Sequence, residues 1–534
     1  MFLNPIVWYY LENPPMHLVS TMPIRAFSFV SVWFFFVIGM TVTLTMAFAA
    51  ADDTQSCDVV WNSPSIDARG SMPIGNGEVG VNAWAEPSGD LQFYISRSDS
   101  YSEVSRLLKV GLIKIALLPN PFANGLPFVQ HLHINDGYIE FRGGSPGSEV
   151  NIRLFVDADQ PVIHCEAWSQ VPEEVMVSVE SWRTTARTLT GEDLGGVWTM
   201  AGAPYPLVES ADHFDALSPV EVAWYHRNET SCVPATMSLQ GIDTAPAGWH
   251  DPLLHRTFGG LVTGTGLVAI DPQTMRTKMP LRYFALQIAC PCAQTGTPQE
   301  WIGEAQLAQS LSHDPNAALS ETEHWWHTYW NTAWVRVTGD VPTIAANSGP
   351  SPSLPAASLT QAYCWQRYMQ ACGGRGNFPI KFNGGEFTVS PEGTMTYADT
   401  RHWGDAHWWQ NIRHIYYPML AEGNFDMMQP FFRMYENAVP IGEARAKFAE
   451  HVGGCFFPET MSVWGTYANS DYGWNQAGPS NTGIEASPWH TKTRNQGPEL
   501  VEMMLDYWDY TQDKTFLETE LVPMAKAVLT YFDN

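Results

Sequence analysis

Apolar and polar positions alternate with a period of two in the first half of the chain and with a helical period in the second. Leu91-Gln92-Phe93-Tyr94-Ile95, Tyr138-Ile139-Glu140-Phe141 and Val150-Asn151-Ile152-Arg153-Leu154-Phe155 are alternating runs bounded by Gly, Pro, Asn and Asp. That pattern belongs to half-buried strands closed by turns. Many such short runs between about residues 57 and 292 predict a large antiparallel β-sandwich, here termed a supersandwich. From Trp301 to Trp334 the period changes. Ala305, Leu307, Ala308 and Leu311 line one predicted helix, and residues 323–330 (EHWWHTYW) suggest another. Residues 344–358, heavy in Ala, Ser and Pro, read as a linker or exposed loop.

Helical stripes follow. Leu359, Ala362, Tyr363 and Gln366 run to a stop at Gly373-Gly374, and Trp408, Ile412, Ile415 and Met419 share a second stripe. Phe425, Met428, Phe432 and Tyr435 form a third. Another opens at Pro498, a favoured first helical residue, with Leu500, Met503, Met504 and Tyr507 in line. The last runs from about Thr515 through Leu517, Leu521, Met524 and Val528. Long loops rich in Gly, Trp, Asp and Asn separate these helices, and loops of that length are usually functional.

The N-terminus changes the picture of where the protein works. Arg25 precedes an uncharged run from Ala26 to Ala51 that ends in Ala47-Phe48-Ala49. A basic start, an apolar stretch and an A-x-A site predict a cleaved signal peptide over residues 1–50, hence a secreted or periplasmic protein with its mature start at Ala50 or Ala51. The run is also long enough to span a bilayer, so an uncleaved anchor is the alternative. Translation from Met16 or Met22 would give a cleaner signal than Met1. Lys and Arg number 28 against 55 Asp and Glu, a formal net charge of −27, which repels nucleic-acid backbones. Eight Cys permit a disulfide in an exported chain without requiring one. With no C-x-x-C pair and no HExxH, nothing in the pattern calls for a metal or other cofactor. The 22 Trp suit stacking on sugar rings, although Trp most often fills core.

Two stretches carry a family resemblance. Trp61-Asn62-Ser63-Pro64-Ser65 followed by residues 71–84 (SMPIGNGEVGVNAW) resembles the opening of glycoside hydrolase family 95, where a P-x-G-N-G-x-x-G hairpin begins an N-terminal sandwich. Residues 91–103, with Tyr94-Ile95-Ser96-Arg97-Ser98-Asp99, resemble the related domain of unknown function 5703. Gly-Asn-Gly between alternating runs is in itself a hairpin turn, which makes Asn76 a turn residue. The second stretch, residues 399–418 (DTRHWGDAHWWQNIRHIYYP), resembles the family segment N-I-N-x-Q-M-N-Y-W. Aligning Tyr416-Tyr417 with the terminal Y-W sets Asn411 on the second Asn of N-I-N and Trp409 on the first. In the family those two Asn hold the attacking water, and only one is kept here. The resemblance implies an N-terminal sandwich over 52–297, a helical linker over 298–357 and an incomplete (α/α)6 toroid over 358–534. It also implies a general acid beyond Asn534, and a chain that ends inside a helix is expected to be a fragment, poorly soluble and catalytically silent alone.

The implied activity is inverting hydrolysis of a terminal α-linked sugar, fucose- or galactose-like. Such a reaction needs an acid at the leaving oxygen and a base for water on the opposite face. Asn411, Asp405 and Glu459 are the catalytic candidates. Asp405 also reads as a helix-N-terminal carboxylate, Asn411 as a buried structural amide, and Glu459 follows the apolar Phe456-Phe457-Pro458. His402, Trp403, His407 and Trp408 suggest a stacking and hydrogen-bonding wall. Arg401 and Arg413 either bind sugar or pair with Asp399 and Asp405, and Asp399 is a substrate-binding candidate in its own right. Trp464 and Asp471 are further substrate candidates in the Trp-rich loops. The expected partner is a carbohydrate, with no nucleic acid and no membrane after signal cleavage. A glycoside phosphorylase or a non-catalytic carbohydrate-binding protein remain the alternative functions.

Overall fold

A computed structural model describes residues 57–123, 125–339, 356–390, 392–393, 398–401, 403–468 and 493–534. The predicted signal segment, most of the 344–358 linker, His402 and Asp471 lie outside the described residues. Among the described residues no helix is long and apolar enough to cross a membrane.

The alternating runs form strands as predicted. β1 (Val59–Trp61), β2 (Met72–Gly75), β3 (Val79–Ala85), β4 (Leu91–Tyr101), β5 (Leu107–Leu118), β6 (Phe128–His133), β7 (Tyr138–Gly143), β8 (Val150–Val156) and β9 (Val162–Glu180) lead into six further antiparallel strands between residues 213 and 289. One layer runs β1-β6-β7-β8-β9 and continues through Leu281–Ala289, Arg256–Gly264, Glu221–Arg227 and His213–Ser218. The other runs β2-β3-β4-β5-β9 and continues through Thr274–Thr277 and Leu267–Asp271. β9 belongs to both. Val162–Ser169 pairs with β8 and with Leu281–Ala289, while Glu174–Glu180 pairs with β5 and Thr274–Thr277. A register shift opposite Leu281 and Tyr283 lets the strand turn from one layer to the other. Ile95, Ile113, Val177, Ile152, Ile163 and Ile288 are fully buried and belong to one apolar core.

Helices follow the sandwich. α1 (Pro298–Leu311) and α2 (Pro315–Trp330) both have Pro in the first turn and a side-chain cap, from Thr297 and Asp314. α3 (Ala356–Gly373) turns Leu359, Ala362 and Gln366 outward and buries Cys364, Arg367, Tyr368 and Ala371 instead, whereas α4 (Trp409–Glu422), α5 (Gln429–Ala449), α6 (Gln496–Thr511) and α7 (Val522–Asp533) bury most of their predicted stripes. A π-helical stretch, Leu517–Leu521, leads into α7, so the final predicted helix is one interrupted segment.

The Gly-Asn-Gly hairpin joins the two halves. Asn76 accepts from the Val79 N–H (2.8 Å) and donates to the Asp157 and Gln160 carbonyls (2.8 and 3.0 Å). Gly77 has φ +92° and its N–H donates to the Cys372 carbonyl at the end of α3. A Cβ there would sit 2.4 Å from the Arg375 side chain, so the turn needs glycine for its torsion and for its close approach. Asn76 is thus a turn and docking residue, as its pattern implies.

Candidate functional site

The β4–β5 hairpin reaches into the helical half with an unusual load: Arg97, Asp99, Glu103, Arg106 and Lys109 are all buried. Each charge finds partners, some of them far along the chain. Arg97 pairs with Asp99 (2.8 Å) and Glu78, and Arg106 with Glu209 (2.9 Å) and Asp193. Arg183 binds Asp212 (2.9 Å) and Asp399 (2.8 Å). Burying charge without such pairing would cost several kcal/mol per ion, by about the penalty observed in proteins.

This hairpin clasps the segment that carries most of the predicted site residues. Asp399 accepts from the Lys109 N–H (2.7 Å), from Trp182 Nε1 and from Arg183. Burial acts to raise its pKa, but Arg183, Arg106 and the Trp182 bond outweigh that and hold it below the usual carboxylate value. Asp405 accepts from Ser105 Oγ and from the Thr199 N–H (3.1 Å), and burial raises its pKa despite those bonds. It lies four residues before the start of α4 and is bound to the sandwich, so it does not serve the α4 dipole. The Tyr101 hydroxyl lies 3.3 Å from His407 Nε2, and burial with nearby Lys381 and Arg401 drives the imidazole well below its normal pKa.

Arg401 pairs with neither expected carboxylate. It donates to the Asn383 carbonyl (3.2 Å), the Gly385 carbonyl and Thr388 Oγ1 (3.4 Å), and burial lowers its pKa to about 10. Lys109 and Glu386 stand close to it. Burial lowers the Lys109 ammonium to about 7 and pushes the Glu386 carboxyl well above its ordinary value. Together Lys109, Glu386, Asp399 and Arg401 line a cavity of about 10 Å³. That space holds about one water and no sugar ring. The charged cluster therefore braces the segment from behind.

The open side is aromatic. Trp403 is 52% exposed. Phe382 lies 6.2 Å from both Trp403 and Trp408, and Trp408 lies 5.3 Å from Trp198, centroid to centroid. Trp403 and Ser105, on either side of Asp405, hold left-handed backbone at φ +59° and +70°. Such torsions cost about 1–3 kcal/mol each and persist where surrounding contacts over-determine them. Trp198 and Phe382 had no signal in the sequence pattern. Trp198 lies in a short 3-10 turn (Trp198–Met200) without periodicity, and Phe382 lies in a loop.

The start of α4 forms the adjoining edge. A two-residue ladder, His407–Trp408 against Thr460–Met461, brings Glu459 to it. Glu459 accepts from the Gln410 N–H (2.8 Å) and from Gln496 Nε2 (2.8 Å), so from another segment it satisfies an otherwise free N–H in the first turn of this helix. Trp409 is fully buried and donates to Glu499 (2.6 Å), which also binds Arg413. Arg413 thus pairs with Glu499 in place of Asp399 or Asp405. Asn411 is exposed on α4, which corrects its reading as a buried structural amide. Trp464 is 1% exposed and belongs to the core, away from any open wall.

A β-sandwich clasped to a helical half, with an aromatic face at their junction, defines the class of molecule. Residues 60–335, a little over half the chain, match the N-terminal domain of the family described as domain of unknown function 5703, and the chain belongs to that family. No curated protein matches it. Among solved structures, it is similar to a protein assigned as a kojibiose phosphorylase from the human microbiome, with 9% identity and a TM-score of 0.48, over 89% of this chain and 59% of that one. It is also similar to a bacterial glucoamylase complexed with acarbose, with 7% identity and a TM-score of 0.35, over 89% of this chain and 68% of that one.

Proposed function

We propose that this chain forms part of an exported, inverting glycoside hydrolase of the family 95 type that removes a terminal α-linked, fucose- or galactose-like sugar. In this reading residues 1–50 are a cleaved signal, 52–297 the sandwich, 298–357 a helical linker and 358–534 the first part of a catalytic toroid. The observation that carries it is the face of Trp198, Phe382, Trp403 and Trp408, with Trp403 half exposed on a strained backbone. Flat apolar rings of this kind stack on the C–H faces of pyranoses. Asn411, exposed on the adjoining helix, is the group proposed to hold the attacking water. Asp405 and Glu459 are less suited, because each has both carboxylate oxygens engaged.

A second reading, a non-catalytic carbohydrate-binding protein, is favoured by Trp409. It occupies the position of the family's first water-holding Asn, yet it is buried and bonded to Glu499. The test is incubation of the full-length protein with oligosaccharides ending in α-fucose or α-galactose, with the released anomer followed by NMR. Release of the inverted anomer, lowered about 10²–10³-fold in kcat by Asn411→Ala with melting unchanged, supports the hydrolase. Binding without release, weakened by Trp403→Ala, supports the binder. Release only with inorganic phosphate identifies a phosphorylase.

A further inference from the structure

Strand β6 presents two imidazoles on its half-exposed face. Its burial alternates, with Phe128, Gln130 and Leu132 inward and His131 and His133 on the outer side. The neighbouring strands bring carboxylates to the same place. β1 pairs Val59 with Leu132, which sets Asp58 beside His133 at the ladder's end, and β7 sets Glu140 opposite His131. The donor atoms of Asp58, His131 and His133 all lie within 4.8 Å of one another.

Hydrogen bonding leaves this cluster incompletely satisfied. His131 Nε2 lies 2.9 Å from Asp58 Oδ2, and Asp58 Oδ1 accepts from the Ile134 N–H at 2.9 Å. His133 Nε2 is buried and makes no hydrogen bond among the described residues, and Glu140 Oε2 stands 3.6 Å from it. Two ligands of one tetrahedral ion, with bonds of about 2.0–2.2 Å, are separated by about 3.3–3.6 Å. The His133–Glu140 gap is too long for a hydrogen bond and matches that edge. The rings of His131 and His133 are 3.7 Å apart, and His133 stacks on Tyr138 at 4.4 Å, so both are held in place. Other groups facing the cluster are Arg142, 3.1 Å from Glu140, and Asp136, which binds His327.

We infer that Asp58, His131 and His133 form a binding site for one zinc ion on the outer face of β1, β6 and β7, with Glu140, 3.6 Å from His133, moving in as the fourth ligand. Two imidazole nitrogens and two carboxylate oxygens are a borderline donor set. They suit Zn²⁺ better than Mg²⁺ or Ca²⁺, which take all-oxygen shells, or Cu(I), which takes thiolates. On binding, the neutral His131 ring moves its single proton from Nε2 to Nδ1, which frees the Nε2 lone pair for the ion in place of the hydrogen bond to Asp58. The Ile134 N–H on Asp58 then acts from the outer shell to orient the ligand. The ion would fasten the edge strand β1 to the sheet, in elements that take no part in the aromatic face.

The experiment uses the full-length protein stripped with a chelator and titrated with Zn²⁺ by calorimetry, and with Co²⁺ as a spectroscopic probe of tetrahedral coordination. One saturable site, tetrahedral Co²⁺ bands displaced by Zn²⁺, and a raised melting temperature are expected. Loss of an outer-shell partner alone typically costs about 10–100-fold in affinity, so His133→Ala or Asp58→Asn should cost about 100-fold or more. His255→Ala, at an exposed histidine in the turn before Arg256–Gly264, should leave binding unchanged. His131 and His133 are only half-buried, so apo variants should keep the wild-type circular dichroism; if His133→Ala does not, Asp58→Asn decides. No saturable binding, or binding retained in the His131→Ala/His133→Ala protein, would overturn the inference.

Discussion

Replacing Asp399 tests whether the two halves are held together by their buried charges. Asp399→Ala removes an acceptor that serves three donors: the Lys109 N–H, Trp182 Nε1 and Arg183 Nη1. Arg183 keeps Asp212, bonded through Nε at 3.0 Å and Nη2 at 2.9 Å, so its charge is not left unpaired. The loss is therefore below the sum of one stranded guanidinium and two stranded neutral donors. Each neutral donor costs about 1–3 kcal/mol when buried and unsatisfied. Breaking one side of a buried ion pair costs about 3–5 kcal/mol when the partner is left alone. With Asp212 in place and space for about one water beside the site, about 3–5 kcal/mol in total is expected. Asp399→Asn should recover little, because whichever way its amide turns, an NH₂ group faces one of three donors. The assay is urea unfolding of the wild type, Asp399→Ala, Arg183→Met and the double variant. A coupling of about 1–3 kcal/mol between the two positions is expected. Because the native carboxylate has a depressed pKa, its stabilisation is present above the unfolded value near 3.8 and fades as pH falls through the folded value. A loss under 1 kcal/mol, or strict additivity with Arg183→Met, would refute the account.

Two other expectations concern the sandwich. His226 lies between Asp212 and Glu103 at 3.0 Å from each; burial opposes its charge, but those bonds raise its pKa to about 9. Its contribution is fully present below about 6.5 and is lost as pH rises through about 9, so the melting temperature should fall across that window, and less so in His226→Gln. Gly260→Ala would put a Cβ 2.1 Å from the ring of Trp224, which is wholly buried and tethered through Nε1 to the Val110 carbonyl. The denaturation midpoint should report a loss of about 1–3 kcal/mol, and wild-type stability in that variant would show that the ring can move aside.

The sandwich was legible because its strands face core on one side and solvent on the other, as in β6 and β7. The helices of the second half were legible for a similar reason, with Ile412 and Met419 buried as their spacing required. The β4–β5 hairpin was not. Nothing in the local pattern of Arg97, Asp99, Glu103 and Arg106 announces their burial, which partners up to about two hundred residues away make tolerable. The candidate site was half legible. Trp403 and Trp408 stand out in their loop and family-like segment, whereas Asp405 reads as a catalytic or helix-N-terminal carboxylate and Glu459 as a catalytic carboxyl in an apolar setting. Their partners Ser105, Thr199 and Gln496 come from other elements, so sequence spacing carries no trace of them.

The sharing of β9 between both layers bears on how the chain finds its register. In an ordinary sandwich, a strand that slips by one residue turns its inward side chains outward in one sheet only. Here the same slip would mispair Val162–Ser169 with β8 and Glu174–Glu180 with β5 at once, exposing Ile163 on one sheet and Val177 on the other. Each layer thus proofreads the other, and the pairing of distant segments that must agree makes assembly of the sandwich a slow, all-or-none event.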